Sequence, residues 1–417
     1  MPTAYPERQM HPRAGAGAMQ VEFLDGIERA GEAAWRALEP PDFPFFDFEF
    51  LRALERSGSI GPGSGWEPVY LVCRGEKDGG RILGALCLYF KTDSYGEYIF
   101  DWEWARAYER HGLPYYPKLV AAVPFTPATG PKLLLRPDVS ENPATRAAVT
   151  RALLEATRTL GDELQVSSTH ALFLPERDLE AFTQQGFAVR HSLQFHWRNP
   201  GYNTFSDYLE ALKGKRRRQI ERERRQLGGE GLMTERLTGE ALDEAYAASM
   251  YRFYAGTFDR KWGYPYLTEA FFHETFRTMG DRILLVLARD ELSRRPLAGA
   301  LFFFKGTSLY GRYWGAAEER RNLHFDLCYY QGIEFAIERH LELFEAGAQG
   351  EHKLARGFLP TLTYSAHQIR HAGFRRAIEH YIAEEKEMLA RAVEAYAEHD
   401  PYKRSLQPPS GDQRPTR

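Results

Sequence analysis

The sequence predicts a mixed α/β fold that contains two copies of one unit. Strand-like apolar runs, such as residues 82–90, alternate with helical patterns, such as residues 143–160, and this alternation is typical of α/β proteins. Residues 84–98 also align without a gap on residues 299–313. The length of 417 residues exceeds what one hydrophobic core usually supports, since single cores stop growing near about 250 to 300 residues. These three observations favour a duplicated domain.

The repeat is the observation on which the duplication rests. Seven of the fifteen aligned positions are identical, at a constant offset of 215 residues. In each copy an apolar strand leads through a short turn into the repeated strand, and an aromatic strand with tyrosines on one face follows. Both copies therefore predict the same antiparallel meander. The identical residues of the first copy are Gly84, Ala85, Leu86, Thr92, Tyr95, Gly96 and Tyr98.

The domain boundaries follow from turn signals and charge. The first copy is expected over residues 19–199 and the second over residues 200–385. Their junction is placed at residues 198–201, because Asn, Pro and Gly there form a turn after a strand-like run. The second copy is expected to begin with a basic helix over residues 205–227.

The two ends of the chain are expected to lie outside these copies. Residues 1–18 and 401–417 are rich in proline, glycine and charge, so we expect both segments to be disordered tails. A helix over residues 386–400 is expected to close the fold, because its apolar residues share one side.

The composition restricts the possible partners and the compartment. Lys plus Arg is 54 and Asp plus Glu is 57, so the net charge of -3 gives no global attraction to nucleic acid or to an anionic membrane. Any anion site must therefore be local. The three cysteines are too few and too scattered for a disulfide framework, which favours a reducing cytoplasm. No apolar stretch approaches the ~20 residues of a membrane span, and we expect neither a signal peptide nor a transmembrane helix.

Three blocks of residues carry a resemblance to a known family. The first block runs from Tyr95-Gly-Glu-Tyr98 through Asp101-Trp102-Glu-Trp104 and Tyr115-Tyr116-Pro117-Lys118 to Val123-Pro124-Phe125-Thr126-Pro127. The second block contains Gly311-Arg312-Tyr313-Trp314-Gly315, His324-Phe325, Cys328-Tyr329-Tyr330-Gln331-Gly332 and Gly350-Glu351-His352-Lys353-Leu-Ala-Arg356-Gly357-Phe358. The third block is the basic helix. Over about residues 21–396 the chain resembles the Fem-type (FemAB-like, peptidoglycan biosynthesis/recognition) branch of the GNAT acyltransferase superfamily.

The resemblance implies a fold and a reaction. It implies tandem duplicated GNAT-like domains, each a mixed, mostly antiparallel sheet flanked by helices, followed by the C-terminal helix. It also implies an N-acyltransferase that transfers an acyl or aminoacyl group directly to an amine of a peptidoglycan precursor. The second copy is expected to hold the acyl donor and the first copy to recognise the acceptor, in a cleft between them.

The identity of the acyl donor stays open at this point. Fem-type enzymes use an aminoacyl-tRNA, whereas acetyltransferases of this superfamily use acyl-coenzyme A. The sequence lacks a clear Gln/Arg-x-x-Gly-x-Gly/Ala loop, whose backbone N–H groups would cradle the coenzyme A pyrophosphate. Both donors therefore remain possible, and tRNA is a possible partner.

The basic helix is the candidate site for an anionic donor. Between residues 212 and 226 it carries eight Lys or Arg residues against two Glu residues, a net charge of +6. Cations at helical spacing on one face suit a phosphate backbone or the phosphates of a coenzyme. The alternative is a solvated face that pairs partly with Glu221. The predicted anion-binding residues are Lys215, Arg217, Arg218, Arg222 and Arg225.

The first copy holds a crowded aromatic and charged segment between two strands. Aromatic side chains combine a large apolar area with a polar tip, which suits a ligand groove, although packing in a core would explain several of them equally well. The threonine could present its hydroxyl to a ligand or simply belong to a rigid turn. The predicted substrate-binding residues are Asp101, Trp102, Tyr108, Tyr116, Lys118 and Thr126.

The second copy holds the candidates for catalysis. Direct transfer to an amine needs a base for the amine proton, donors for the carbonyl oxygen and an acid for the leaving group. Glu351 or His352 could be the base, backbone N–H groups of a bulged strand the oxygen donors, and Tyr310 or Tyr313 the acid. His324 is a further catalytic candidate, with the alternative that each histidine is structural. Arg312, Lys353 and Arg356 are predicted to bind substrate.

Other chemistries are poorly supported by the sequence. It has no Gly-x-Ser-x-Gly elbow, no phosphate loop and no His-Glu-x-x-His pair. His367 and His371 stand at i, i+4 on a predicted helix, but no third ligand is near, so no metal is expected. Two alternatives to the Fem-type enzyme remain: an N-acetyltransferase that uses coenzyme A and a small amine, and a module that binds peptidoglycan fragments or tRNA without catalysis. The oligomeric state is not predicted.

Overall fold

The computed structural model describes residues 19–75, 79–229, 231–259, 264–348 and 350–403. The predicted tail at residues 1–18 lies outside the described residues, and so do residues 404–417 of the predicted C-terminal tail.

The prediction places the start of the C-terminal tail too early, at residue 401. Tyr402 is only 1% exposed, and its hydroxyl donates to the carbonyl of Gly357 at 2.8 Å. Its backbone also forms a bridge with Leu212. A buried, bonded tyrosine makes residues 401–403 part of the fold.

The described chain contains strands and helices in alternation, as predicted. The strands are β1 (Met19–Leu24), β2 (Glu67–Gly75), β3 (Ile82–Lys91), β4 (Lys118–Ala121), β5 (Leu133–Leu135), β6 (Ser168–Leu174), β7 (Ala188–Arg198), β8 (Leu232–Leu237), β9 (Ile283–Asp290), β10 (Pro296–Lys305), β11 (Ser308–Ala316), β12 (Leu343–Glu345) and β13 (Leu359–Ile369).

The α-helices are α1 (Glu32–Arg36), α2 (Phe48–Arg56), α3 (Trp102–Arg110), α4 (Pro137–Glu141), α5 (Pro143–Glu163), α6 (Leu179–Thr183), α7 (Phe205–Ala211), α8 (Gly214–Leu227), α9 (Ala245–Asp259), α10 (Glu269–Met279), α11 (Leu323–Phe325), α12 (Gln331–Glu338) and α13 (Ala372–Glu398). A π-helical turn, Asp326–Tyr330, joins α11 to α12, and a 3₁₀-helix, Glu351–Arg356, follows β12. None of the described helices combines the length and the apolar character needed to cross a bilayer.

The chain divides into two compact units that are not contiguous in sequence. The first unit contains the described residues up to Pro40, residues 45–192 and residues 363–389. The second unit contains residues 41–44, residues 193–362 and the described residues from 390 onwards. This division differs from the predicted one at residues 41–44 and 193–199, which belong to the second unit, and at residues 363–389, which belong to the first.

The first unit is a six-stranded sheet in the order β1-β2-β3-β4-β6-β13, with the short β5 paired beside β4 on β3. Neighbours are antiparallel except for β4 and β6, which are parallel. Helix α5 covers this sheet with a buried stripe that includes Val149, Leu153 and Leu160. Asn142 caps the N-terminus of this helix, because its side chain accepts from the Thr145 N–H at 3.0 Å.

The second unit is a six-stranded sheet in the order β8-β9-β10-β11-β12-β7. Here too the neighbours are antiparallel except for one parallel pair, β11 and β12. Its core packs Ile220 and Leu227 of α8 and Ile333 and Ile337 of α12 with apolar strand residues such as Val286. Strand order and strand direction are therefore the same in the two units, and the predicted duplicated GNAT-like architecture is confirmed at the level of topology.

The sixth strand of each unit comes from a distant part of the chain. Strand β7 follows β6 in sequence, yet its residues 196–198 pair with β12 of the second unit. Strand β13 follows β12, yet its residues 364–369 pair with β6 of the first unit. This pairing explains why residues 363–389 belong to the first unit, although the sequence placed residues 363–385 in the second copy and residues 386–389 in the closing helix.

The predicted meander continues in only one of the two copies. In the second unit β10 turns directly into β11, as expected. In the first unit β3 ends at Lys91, and the predicted aromatic strand at residues 95–98 is a loop. The Asp93 carboxylate accepts from the Tyr95 N–H at 2.9 Å, and Gly96 and Tyr98 have φ angles of 77° and 61°. A side-chain-stabilised turn and two left-handed residues end the extended conformation there.

Three helix predictions need correction. The basic helix predicted over 205–227 is two helices, α7 and α8, because Leu212 is extended and the Lys213 N–H donates to the carbonyl of Pro401. The closing helix predicted over 386–400 begins earlier, at Ala372. His367 lies in strand β13 and His371 precedes α13, so the two do not share a helix face.

Candidate functional site

The parallel strands of the second unit separate soon after they meet. β11 pairs with β12 only over Ser308–Tyr310, whereas it pairs with β10 along its whole length to Ala316. The edge of residues 311–316 that faces away from β10 therefore lies outside the β11–β12 ladder. Backbone groups on such an edge can serve a ligand in place of a neighbouring strand.

A β-bulge lies at the start of this edge. Phe302 pairs with Gly311 and Leu301 pairs with Tyr313, so that Arg312 is the extra residue. A bulge bends the strand and changes the direction of the backbone groups beside it. The bulged strand anticipated from the sequence is therefore present.

The corresponding place in the first unit is occupied by the chain itself. β4 ends at Ala121, and β5 takes over the pairing with residues 84–86 of β3. The Gly130 N–H donates to the carbonyl of Phe173 at the end of β6, at 3.2 Å. The Lys132 ammonium donates to the same carbonyl at 3.0 Å. The open strand edge thus belongs to the second unit.

Two histidines and a tyrosine gather beside the open edge. His352, on the 3₁₀-helix after β12, lies with Nε2 2.8 Å from the Tyr329 hydroxyl. The ring of His324 lies 5.4 Å from that of Tyr329, 6.1 Å from that of His352 and 5.1 Å from that of Trp314 on β11. Tyr329 belongs to the π-helical turn, a local irregularity that is frequent at functional sites.

The electrostatics keep both histidines neutral at pH 7. Burial lowers the pKa of His324 to about 4. Burial, and then the positive charges of Arg356 and Lys353, lower the pKa of His352. Burial raises the pKa of Tyr329, so its hydroxyl stays protonated. A neutral imidazole has one nitrogen that is free to accept a proton.

Arg356 packs against this cluster and is only 2% exposed as a residue. Its Nε donates to the Tyr330 hydroxyl at 2.9 Å, and its Nη1 donates to the backbone carbonyl of His352 at 2.9 Å. Its Nη2 donates to both carboxylate oxygens of Glu223 on α8, at 3.1 and 2.9 Å. The guanidinium carbon lies 3.5 Å from the centre of the Phe325 ring.

The other two charges of the 3₁₀-helix have different surroundings. Lys353 is buried, and its ammonium donates to the carbonyl of Gly347 at 2.7 Å; burial lowers its pKa to about 8. Glu351 is exposed and accepts from the Tyr396 hydroxyl at 2.6 Å. His324 and His352 thus lie side by side, and the charges of Arg356 and Lys353 act on both, whereas the Glu351 carboxylate is bonded to Tyr396.

The predicted acid Tyr310 is directed elsewhere. Its hydroxyl donates to the backbone carbonyl of Asp42 at 3.0 Å, and its ring packs edge-on against Phe43. Tyr313 is buried against the ring of Tyr254. The Arg312 guanidinium lies 5.2 Å from the Tyr313 ring.

The charged residues predicted in the first unit form a buried network. Lys118 is 0% exposed and donates to Ser94 at 2.7 Å, to Glu97 at 2.8 Å and to Asp101. Burial alone would raise the pKa of Asp101, but the Lys118 ammonium lowers it to about 2. Burial raises the pKa of Glu97 to about 7. The Tyr115 hydroxyl also donates to Asp101, at 2.6 Å.

The remaining residues predicted in the first unit differ in exposure. Tyr108 is buried and stacks on Phe374 at 3.9 Å, and the Thr126 hydroxyl donates to the carbonyl of Pro124 at 3.0 Å. Trp102 and Tyr116 are only partly buried. These two side chains are therefore the ones that reach solvent.

Helix α8 has one cationic face and one buried face. Ile220, Glu223 and Leu227 are buried, and Arg217 lies 3.9 Å from Glu221. The outer cations make no ion pair with any residue that the structure describes. They are the exposed residues Lys215, Arg218, Arg222 and Arg225.

Glu223, Tyr329 and Tyr330 are functional candidates that the sequence analysis missed. Glu223 was counted only as a charge of the basic helix. It stands at i+3 from Ile220 and i−4 from Leu227, inside the apolar stripe of α8. A carboxylate at a core position was the signal that could have revealed it. Within the described residues, no group of three or more potential metal ligands occurs.

Comparisons with known proteins agree with this architecture. The profile of the FemAB-like family, described as peptidoglycan biosynthesis/recognition, matches residues 26–404. A crystal structure of FemX has a TM-score of 0.50 at 11% identity, and the alignment covers 86% of this chain and 100% of that one. This likeness shows a shared fold.

Two further structures are similar at lower scores. L-PGS from Bacillus licheniformis has a TM-score of 0.47 at 10% identity, with 77% of this chain and 90% of that chain covered. A tandem GNAT protein from the clavulanic acid biosynthesis pathway has a TM-score of 0.42 at 14% identity, with 84% and 98% covered. No curated protein matches the sequence.

Proposed function

Because the chain belongs to the FemAB-like family of peptidoglycan biosynthesis and recognition proteins, we propose that it is an acyl- or aminoacyltransferase. It joins an activated carbonyl group to an amine of a peptidoglycan precursor. The observation that carries the proposal is His352, hydrogen-bonded to Tyr329, beside the bulged edge of β11 where it leaves the β12 ladder. This arrangement offers a base and oxygen donors together.

The base in this reaction is His352. Its Nε2 lies 2.8 Å from the Tyr329 hydroxyl, and in the tautomer that this proposal requires Nε2–H donates to that oxygen while Nδ1 carries the lone pair. Nδ1 takes a proton from the amine as the amine nitrogen attacks the carbonyl carbon. The new C–N bond forms, the bond from carbon to the leaving group breaks, and His352 returns the proton to the leaving oxygen or sulfur.

The carbonyl oxygen gains negative charge during this attack. Backbone N–H groups of residues 314–316, which lie beyond the β11–β12 ladder, are the proposed donors for it. The neutral state of His324 keeps a second positive charge away from His352, so that His352 stays able to accept a proton. Trp102 and Tyr116 of the first unit remain predicted contacts of the acceptor.

The donor in this proposal is an aminoacyl-tRNA. After β11 the backbone N–H groups of Leu323, Phe325 and Asp326 donate to the carbonyls of Arg320 and Asn322, so the chain itself uses them. Those are the helix N-terminal donors that a coenzyme pyrophosphate would need. The outer face of α8, in contrast, offers four exposed cations to a phosphate backbone.

A labelled transfer assay tests the proposal. The protein is incubated with a soluble peptidoglycan precursor that has a free amine, and with either tRNA charged with radiolabelled amino acids or radiolabelled acetyl-coenzyme A. We expect label to enter the precursor from the charged tRNA. His352→Ala should lower the rate by about 10² to 10⁴-fold, because the base is lost.

The control replaces a histidine of the same unit outside the site. His273 on α10 pairs with Glu244, and His273→Ala should leave the rate unchanged. Transfer from acetyl-coenzyme A alone would contradict the tRNA donor. The absence of transfer from both donors, or full activity of His352→Ala, would contradict the enzyme assignment.

A further inference from the structure

We propose that Arg356 and Glu223 are positioning residues for His352, and that they link the base to the basic helix α8. The inference rests on the proposed function, in which His352 is the base. It assigns a role to a buried ion pair that the reaction itself does not use.

The contacts of one guanidinium define this link. Arg356 donates to groups from three separate elements: the Tyr330 hydroxyl of the π-helical turn, the His352 carbonyl of the 3₁₀-helix and the Glu223 carboxylate of α8. Tyr330 donates to Glu223 as well, which closes the network. Only Arg has donors in a planar fork that can make all these bonds at once.

The fourth contact of Arg356 is with the Phe325 ring, which in turn packs against His352. The guanidinium lies 3.5 Å from the centre of the Phe325 ring, and the Phe325 ring lies 5.7 Å from the ring of His352. Arg356 therefore holds both the backbone of His352 and a ring against which its imidazole packs. A shift of this guanidinium changes the direction of Nδ1.

Stability alone is a poor explanation for this ion pair. Arg356 is 2% and Glu223 is 7% exposed, and well-packed apolar residues often replace buried ion pairs without loss of stability. A network in which every partner is fixed does, however, restrict the position of the groups that it holds. The geometry therefore favours a role of this ion pair in positioning His352.

The link also reaches the face that is proposed to bind the donor. Glu223 is the immediate neighbour of Arg222, which is exposed on the outer side of α8. Glu223 faces the core from the same helical turn, where its carboxylate accepts from Arg356. Phosphates that fix the outer face therefore also fix the carboxylate to which Arg356 is bonded.

Kinetics of two variants test the inference. Arg356→Lys keeps the charge but removes the fork, and we expect kcat to fall about 100-fold, as for a misplacement of about 1 Å, with KM changed less than twofold. Glu223→Gln should also lower kcat. In Arg356→Ala, millimolar guanidinium ion should restore part of kcat, whereas methylammonium should not.

The matched control is Arg289→Lys. Arg289 of β9 also pairs with a carboxylate, that of Glu235 at 2.7 Å, and also lies over an aromatic ring, that of Tyr246 at 4.9 Å. These partners belong neither to α8 nor to the π-helical turn or the 3₁₀-helix, so this variant should keep kcat within twofold. If Arg356→Lys behaved like Arg289→Lys, or if its loss lay in KM, the inference would be overturned.

A second measurement does not depend on activity. Imidazole ¹⁵N shifts report the tautomer of His352, and we expect one tautomer in the wild type and a mixture in Arg356→Lys and in Glu223→Gln. Unchanged shifts in both variants would overturn the inference. A wild type without transferase activity would instead remove the proposed function, and the shifts would still decide whether Arg356 positions His352. If Arg356→Lys does not fold, Glu223→Gln and Tyr330→Phe carry the same expectation.

Discussion

Two buried histidines of the first unit face each other within hydrogen-bond distance. His170 on β6 and His367 on β13 stand opposite each other in the sheet, with their Nδ1 atoms 2.7 Å apart. Each Nε2 lies 2.8 Å from a serine hydroxyl, that of Ser168 or Ser365. An N–H···N bond needs one protonated and one free Nδ1, so a second proton would break it.

The acid stability of the protein should depend on this pair. Burial, reinforced by the positive charge of Lys118 and opposed by Asp101, lowers the pKa of His170 to about 3; burial and the neighbouring His170 lower that of His367 well below its usual value. The unfolded chain binds more protons below its ordinary pKa of about 6.5, so stability is full above that pH and is lost as the pH falls. Each histidine should contribute about 1.4 kcal/mol per pH unit to this loss.

Urea unfolding between pH 4 and pH 7 measures this effect. His367→Gln should reduce the slope of unfolding free energy against pH by about the contribution of one histidine. Gln368→Asn, beside His367 on β13, removes no titratable group, so it is the control and should leave the slope unchanged. An identical slope in His367→Gln would show that the pair is not the source of the acid lability.

The sequence identified polar residues without revealing their burial. Asp101 and Lys118 were singled out as substrate contacts, and they are bonded to each other inside the first unit. Lys118 obtains its other partners, Ser94 and Glu97, from a loop more than twenty residues away in sequence. Local spacing does not encode such long-range bonds, so composition alone could not separate a buried network from a ligand groove.

At the scale of elements, helix α8 was the easier part to predict. The i, i+3, i+7 spacing correctly placed Lys215, Arg218 and Arg222 on one exposed face. The break before α8 was missed, because it depends on a backbone bond between Lys213 and Pro401, which are far apart in the chain. Helical periodicity predicts which residues share one face of a helix, whereas the position at which a helix begins also depends on its tertiary partners.

The salt dependence of RNA binding tests the exposed face of α8. Replacing Arg218, Arg222 and Arg225 by Ala removes three cations, so the slope of log K against log salt should decrease by about 2. Fluorescence anisotropy with labelled tRNA at several KCl concentrations measures this slope.

The control for this experiment removes the same charge from another helix. Arg146, Arg151 and Arg158 are exposed on α5 of the first unit, and their triple Ala variant should keep the slope of the wild type. Equal effects of the two triple variants would indicate non-specific attraction. Binding that is insensitive to salt would argue against a phosphate contact at α8.

At the scale of the whole molecule, the sequence predicted duplication but not the exchange of strands. The repeat at Gly84 and Gly299 reflects strands β3 and β10, which occupy equivalent places in their sheets. The last strand of each sheet is fixed by pairing with residues far away in the chain, 197 positions apart for His170 and His367 and 145 for Arg198 and Leu343. Hydrophobic patterns identify such strands but carry no information on their partners.

The exchange predicts that the first unit does not fold from residues 19–192 alone. Without β13, strand β6 becomes an unpaired edge although all of its residues are buried in the native fold. Ile369 of β13 and Ile378 of α13 also cover Trp104 in an apolar cluster. We expect this fragment to aggregate or to lack a cooperative thermal transition.

Adding the missing segment should restore folding. The rings of His191 and Tyr364 lie 5.1 Å apart, so a short Gly/Ser linker can join residue 192 to residue 363. A fusion of residues 19–192 to residues 363–389 should show a cooperative transition by far-UV circular dichroism. The same fusion with Ile369→Asp and Ile378→Asp should not, because it cannot bury the apolar cluster. Cooperative unfolding of the fragment 19–192 by itself would contradict the view that β13 is an integral strand of the first unit.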